Sequence, residues 1–158
     1  MINLCAIGWL AACAPVPSDD MPLLRNPDVP IGAITRFDLD LFAGRWDIQR
    51  SAGEDCAPVG FEIADATWRE RDGEGAARVG MVEPIGTGIL RIDYADGSTG
   101  DLWVLWVDPD HNTAALGDPE GQFGFVATRA GAVRSDQIRA AEQVLDFNGY
   151  RTETWNNT

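Results

Sequence analysis

Between Gly44 and Arg129 every apolar run is cut short by a turn signal, and this punctuation constrains the fold more than any other feature. Asp72-Gly73, Pro84 with Gly86, Asp96-Gly97, Asp108-Pro109-Asp110 and Gly117-Asp118-Pro119-Glu120-Gly121 each close one run. Asp-Gly and Asp-Pro pairs suit hairpin loops because they tolerate or preset the required φ angles. The runs between them are too short for a helical core and have the spacing of strands. They fall at residues 44–51, 61–70, 76–82, 87–94, 101–107, 113–116 and 123–129, which predicts seven strands. Many short strands at regular intervals imply an antiparallel sandwich or barrel.

One helix follows the strands. Ser135 suits an N-cap, and Ile138, Ala141, Val144 and Leu145 recur on one helical face. Asn148-Gly149 then accepts the left-handed conformation that ends a helix. Residues 150–155 are expected to form a short closing strand. The chain of 158 residues has the length of one domain. Its 45% hydrophobic fraction, with six Trp and six Phe, supplies a core of ordinary size.

The two ends of the chain read differently from the middle. Residues 1–12 are apolar and end in small residues, so that Leu10-Ala11-Ala12-Cys13 reads as a lipoprotein-type cleavage box with Cys13 as the lipidated residue. The usual positively charged start is missing. Residues 14–36 carry Pro15, Pro17, Pro22, Pro27 and Pro30, which predicts an extended tether. Residues 37–158 form the domain. With Cys5 in the signal and Cys13 acylated, Cys56 remains as one thiol that can stay free or pair with a second chain as a dimer.

Composition excludes several roles. The net charge of −13 comes from 12 basic and 25 acidic residues, with no basic run, which argues against nucleic acid and against electrostatic attachment to an anionic membrane. The single His, His111, sits in a turn, and no Cys-x-x-Cys pair exists, so neither a metal site nor nucleophilic catalysis is expected. Asp108-x-Asp110-x-Asn112 lacks the Gly and the later Glu of a calcium loop. Glu54/Asp55 and Asp108/Asp110 are loop acids with no assigned chemistry. No cofactor is expected and the chain is not read as an enzyme.

Phe42-Ala43-Gly44-Arg45-Trp46 resembles the Gly-x-Trp signature that opens the first strand of a lipocalin. Residues 102–108, Leu-Trp-Val-Leu-Trp-Val-Asp, with Ala114-Ala115-Leu116 and Asp118-Pro119, resemble the second signature region. Phe123-Gly124-Phe125-Val126-Ala127-Thr128-Arg129 resembles the last barrel strand and its closing Arg. The lipobox, tether and C-terminal helix further resemble the bacterial outer-membrane lipoprotein branch of that family.

The resemblance implies an all-β, up-and-down antiparallel barrel of calycin type with a C-terminal α-helix. Eight strands would be usual and seven are counted, which makes a barrel shortened by one strand, around residues 72–86, the expectation. Gly44, Trp46 and Arg129 would form the structural signature, with the Arg packed across the Trp at the closed end. A hollow interior would bind a small hydrophobic ligand of the fatty-acid or lysophospholipid class, lined by Ile48, Arg50, Leu102, Val104, Trp106, Phe123 and Phe125. Arg50 would meet an anionic head unless a bulge turns it outward, and Arg69, Arg78 and Arg91 are further candidates. The expected place is the bacterial envelope, lipid-anchored and at the outer membrane. The alternative is a structural or interaction lipoprotein with a filled barrel and no ligand.

Overall fold

The computed structural model describes residues 24–52, 58–75 and 78–157, so the signal box, Cys13 and Cys56 lie outside the described residues. A single helical turn, α1 (Leu39–Phe42), is capped by the Asp38 carboxylate, which accepts from the backbone N–H of Asp40 and Leu41. Eight strands follow: β1 (Gly44–Ser51), β2 (Gly60–Ala64), β3 (Thr67–Arg71), β4 (Val79–Gly86), β5 (Ile89–Tyr94), β6 (Thr99–Val107), β7 (Thr113–Gly117) and β8 (Gly124–Thr128). Each pairs antiparallel with the next, and β1 pairs with both β2 and β8, so the sheet closes into an up-and-down barrel. Helix α2 (Ser135–Phe147) packs outside, and a two-residue strand β9 (Asn156–Asn157) adds to the end of β1.

The count of seven is thus corrected to eight. Residues 61–70 are two strands, not one, joined by the two-residue turn Asp65-Ala66. Both turn residues have positive φ, 48° and 57°, as a tight hairpin loop requires. No Gly marks the turn, so the sequence reads through it. The expected closing strand at 150–155 is corrected too. Thr152–Thr154 form a 3-10 turn, and the strand comes after it. Ser135 is the first helical residue, and the cap position falls on Arg134.

Residues 24–36, the described part of the segment expected as a tether, are packed on the domain, and residues 14–23 lie outside the described residues. Arg25 is 3% exposed, and its guanidinium donates to the carbonyls of Asn148 (3.1 Å), Pro119 (2.6 Å) and Val29. Leu24 N–H donates to Gly121 O at 2.9 Å, and Ile34 N–H to Val104 O at 2.9 Å. Leu24 and Ile31 pack under the helix, while Ile34 and Phe37 pack on the barrel interior at its other end. Proline bars this segment from a helix or a central strand, but it does not bar an extended strap on a barrel wall.

Two cores result. Inside the barrel lie Trp46, Phe61, Ile63, Trp68, Leu90, Leu102, Val104, Leu116, Phe125 and their neighbours. Outside, Leu105, Ala115 and Val126 meet Ala141 and Leu145 of α2, with Tyr150 and Trp155 beside them. Strands β6, β7 and β8 are therefore apolar on both faces, as a sheet covered on both sides must be.

Candidate functional site

The closed end of the barrel is built by the three signature residues. Trp46 is fully buried and its indole N–H donates to Phe42 O at 2.8 Å. Arg129 lies with its guanidinium carbon 4.0 Å from the centroid of the Trp46 ring. It also donates to His111 O (3.2 Å), Arg45 O (3.3 Å), Leu41 O (3.0 Å) and Phe42 O (3.0 Å). These carbonyls belong to α1, to β1 and to the β6–β7 loop, so one planar cation ties three elements over the indole. Burial lowers the Arg129 pKa from its ordinary value. Gly44 has φ of 101°, and a Cβ there would stand 2.9 Å from an Arg129 nitrogen. The Gly is thus needed for both its backbone conformation and its size.

Above this floor the barrel axis is filled. Phe42 and Trp46 rings lie 4.9 Å apart, Trp46 and Phe61 6.2 Å, Phe61 and Trp68 4.5 Å, and Phe61 and Phe125 6.0 Å. Phe61, Leu90, Val104 and Leu116 expose no surface at all, so no water-sized gap borders them. A hydrocarbon tail entering here would displace buried rings and gain little net burial. The expectation of a hollow interior is corrected for the lower barrel.

At the other end the described side chains are less deeply covered. This open end carries the β1–β2 and β3–β4 loops, the β5–β6 turn and the β7–β8 loop. Phe123 is half-buried and stacks on Phe125, their rings 5.8 Å apart. Glu70 pairs with Phe61 in the sheet and so points to the interior. Its Oε1 accepts from the Trp68 indole N–H at 2.9 Å and from the Tyr94 hydroxyl at 2.5 Å. Burial first, and then the Glu70 charge, push the Tyr94 phenol well above its ordinary pKa, so it remains a donor. The Arg78 guanidinium lies 3.4 Å above the Tyr94 ring and is itself held by Asp96 and Ser98. Among the described residues, the half-buried Phe123, Glu70 and Tyr94 thus rim a shallow cup whose base is the buried top of the ring column, Trp68 and Phe125.

The residues expected to line a ligand site divide between the faces. Ile48, Leu102 and Val104 point inward but lie in the filled part. Phe123 and Phe125 line the cup. Arg50 and Trp106 are corrected to the outer face, each by a bulge. In β1 the register slips between Ile48 and Arg50, so Arg50 pairs with outward Val126 and binds Glu142 of α2 at 3.1 Å. In β6 the slip lies between Val104 and Trp106, which puts Trp106 under the helix and Val107 inside. Sequence reasoning missed Glu70 and Tyr94. Splitting residues 61–70 at Asp65-Ala66 would have put Glu70 and Trp68 on the inward face of Phe61 and Ile63.

A separate open groove lies at the closed end between residues 33–37 and the β6–β7 loop, lined by Ile34, Phe37, Val107, Pro109 and His111. Thr35, Arg36 and Asp108 line it as well. Asp108 is occupied in closing its own loop, accepting from the backbone N–H of Asp110, Asn112 and Thr113. Among the described residues no three His, Cys, Asp or Glu side chains converge as metal ligands.

No family model matches the sequence, and no curated protein does. Solved structures do match. Apocrustacyanin C1 aligns at 18% identity and TM-score 0.58, over 77% of this chain and 78% of that one. Lobster apocrustacyanin A1 aligns at 18% identity and TM-score 0.57, over 75% and 77%. LTBP1, in complex with leukotriene C4, aligns at 14% identity and TM-score 0.52, over 87% of this chain and 95% of that one. At these identities the likeness speaks for the fold alone. The chain carries the lipocalin-type fold: an eight-stranded antiparallel up-and-down barrel with one C-terminal helix.

Proposed function

We propose that this chain binds a small single-tailed amphiphile at the open end of its barrel, and that it does so by binding rather than catalysis. Fatty acids and lysophospholipids belong to that class. The observation that carries the reading is the aromatic cup of Phe123, Phe125, Trp68 and Tyr94 above a filled barrel. Support comes from the fold, since LTBP1, whose fold is similar, occurs in complex with leukotriene C4.

The filled floor limits how much tail can be buried. Each methylene is worth ~0.8 kcal/mol, so a cup covering about six supplies roughly 5 kcal/mol before association costs. Dissociation constants of about 0.2 mM are then the tightest such burial allows, and association costs move them into the millimolar range. Titration of intrinsic Trp fluorescence with octanol to millimolar concentration tests this. Saturable change supports binding at the cup. A flat titration favours the second reading, a filled barrel acting through its surface, which the fully buried ring column recommends.

The placement we propose is the bacterial envelope, probed through the anchor: Cys13 carries lipid, and the outer membrane is the membrane concerned. Leu24 lies beside Gly121, in the β7–β8 loop of the open end. An anchor upstream of it would hold the cup, not the closed end, toward the lipid surface. Mass spectrometry of the protein expressed in a bacterial host decides the anchor, since an unacylated Cys13 refutes it.

A further inference from the structure

We propose that the cup selects an amphiphile with a cationic ammonium head, received by the Glu70 carboxylate among the rings of Trp68, Tyr94, Phe123 and Phe125. This rests on the reading that the open end binds an amphiphile, and it adds the class of head. The argument begins with where the positive charges lie. Arg50 is turned outward to Glu142. Arg69 pairs with Glu62 in the sheet and shares its outward face. Arg91 is outside, bound to Asp101 through two hydrogen bonds. Arg78 reaches the mouth, but Asp96 and Ser98 already occupy it. Among the described residues, then, no cation on the interior face waits for an anionic head.

The interior charge at the mouth is negative instead. Glu70 uses Oε1 for both Trp68 and Tyr94, and Oε2 has no protein partner among the described residues. A ligand carboxylate placed here would face a like charge in a half-buried setting. An ammonium would meet an opposite charge and the faces of aromatic rings, which attract cations. The ring of Tyr94 already holds one cation, Arg78, on a face, which shows its capacity for the interaction. The net charge of −13 also steers cations toward the protein.

The test uses three eight-carbon probes on the full chain: octyltrimethylammonium, octanoate and octanol, each followed by Trp fluorescence and calorimetry. The wild type should bind octyltrimethylammonium at least tenfold more tightly than octanoate. Glu70→Gln should lose at least fivefold of the ammonium affinity. Glu83→Gln, on the outer face of β4, makes the same change in net charge and should leave the affinity unchanged. Octanol binding without any preference for the ammonium overturns the head selection and leaves the amphiphile reading standing. Preference that survives in Glu70→Gln overturns it also, since attraction to the acidic surface then explains it. If no probe binds, octanol included, the amphiphile reading itself falls. Should Glu70→Gln unfold, Tyr94→Phe decides: it removes one of the two donors on Oε1 and should tighten ammonium binding, and unchanged or weaker binding refutes the proposal.

Discussion

Replacing Arg129 by Met tests the account of the closed end. The variant keeps a long apolar stem over Trp46 and deletes the guanidinium. Lost with it are the stacking at 4.0 Å and four hydrogen bonds to carbonyls. The stacking is worth ~0.5–2 kcal/mol. Two of the hydrogen bonds, to His111 O and Phe42 O, are partly buried, and each contributes roughly 0.5–1.5 kcal/mol net. The bonds to Arg45 O and Leu41 O are exposed, so water replaces them at little cost. The expected loss is about 2–4 kcal/mol, or a fall in Tm of roughly 8–15 °C for a domain of this size. Urea unfolding followed by far-UV circular dichroism measures it without relying on Trp emission. Arg129→Lys should recover less than half, because a point charge cannot serve carbonyls on three elements together. If both variants lie within about 0.5 kcal/mol of wild type, the guanidinium is not the tie described here.

Gly44→Ala should cost about 2–3 kcal/mol, since Ala at φ of 101° is strained and its Cβ meets Arg129. In the double variant with Arg129→Met the costs should sum to less than additive, because the two share one contact. Ala66→Gly should stabilise by about 1 kcal/mol in urea unfolding, because Ala66 is held at φ of 57°. Stability should fall above pH 10. Burial first, and then the charges of Glu70 and Asp118, raise the phenols of Tyr94 and Tyr150 above their ordinary 10.0, so the folded state keeps protons that the unfolded state loses. Each phenol contributes in full below pH 10 and loses about 1.4 kcal/mol per pH unit above it. Tyr150→Phe should remove one of the two contributions and reduce the slope measured by urea unfolding from pH 9 to 11. Trp106→Ala should loosen α2, seen in hydrogen exchange, while octanol binding stays as in wild type, because Trp106 lies outside the barrel.

What the sequence reveals here depends on whether each feature has a local signature. The closed end is legible because its parts carry distinct chemistry: a Gly forced by φ, a Trp, and an Arg that needs carbonyls. The hairpins after Asp96-Gly97 and Asp108-Pro109 are legible for the same reason. The turn at Asp65-Ala66 is not, since two residues with side chains are held there at positive φ by pairing on both sides. Missing it merges β2 with β3 and conceals Glu70. The bulge in β6 is equally silent, because that strand is covered on both faces and its apolar pattern persists through the slip at Trp106; in β1 the charge of Arg50 at an inward parity is the one local hint. Fullness of the interior is a property of many side chains together, and no short motif encodes it.

The central claim is that an amphiphile enters only the upper cup and leaves the ring column below it in place. Indole N–H resonances of the 15N-labelled chain report this directly, because Trp46 marks the floor and Trp68 the cup. On titration with octanol the Trp68 signal should shift in a saturable manner while that of Trp46 stays fixed. Movement of the Trp46 signal together with that of Trp68 would contradict the account, since the ligand would then have opened the barrel to its base.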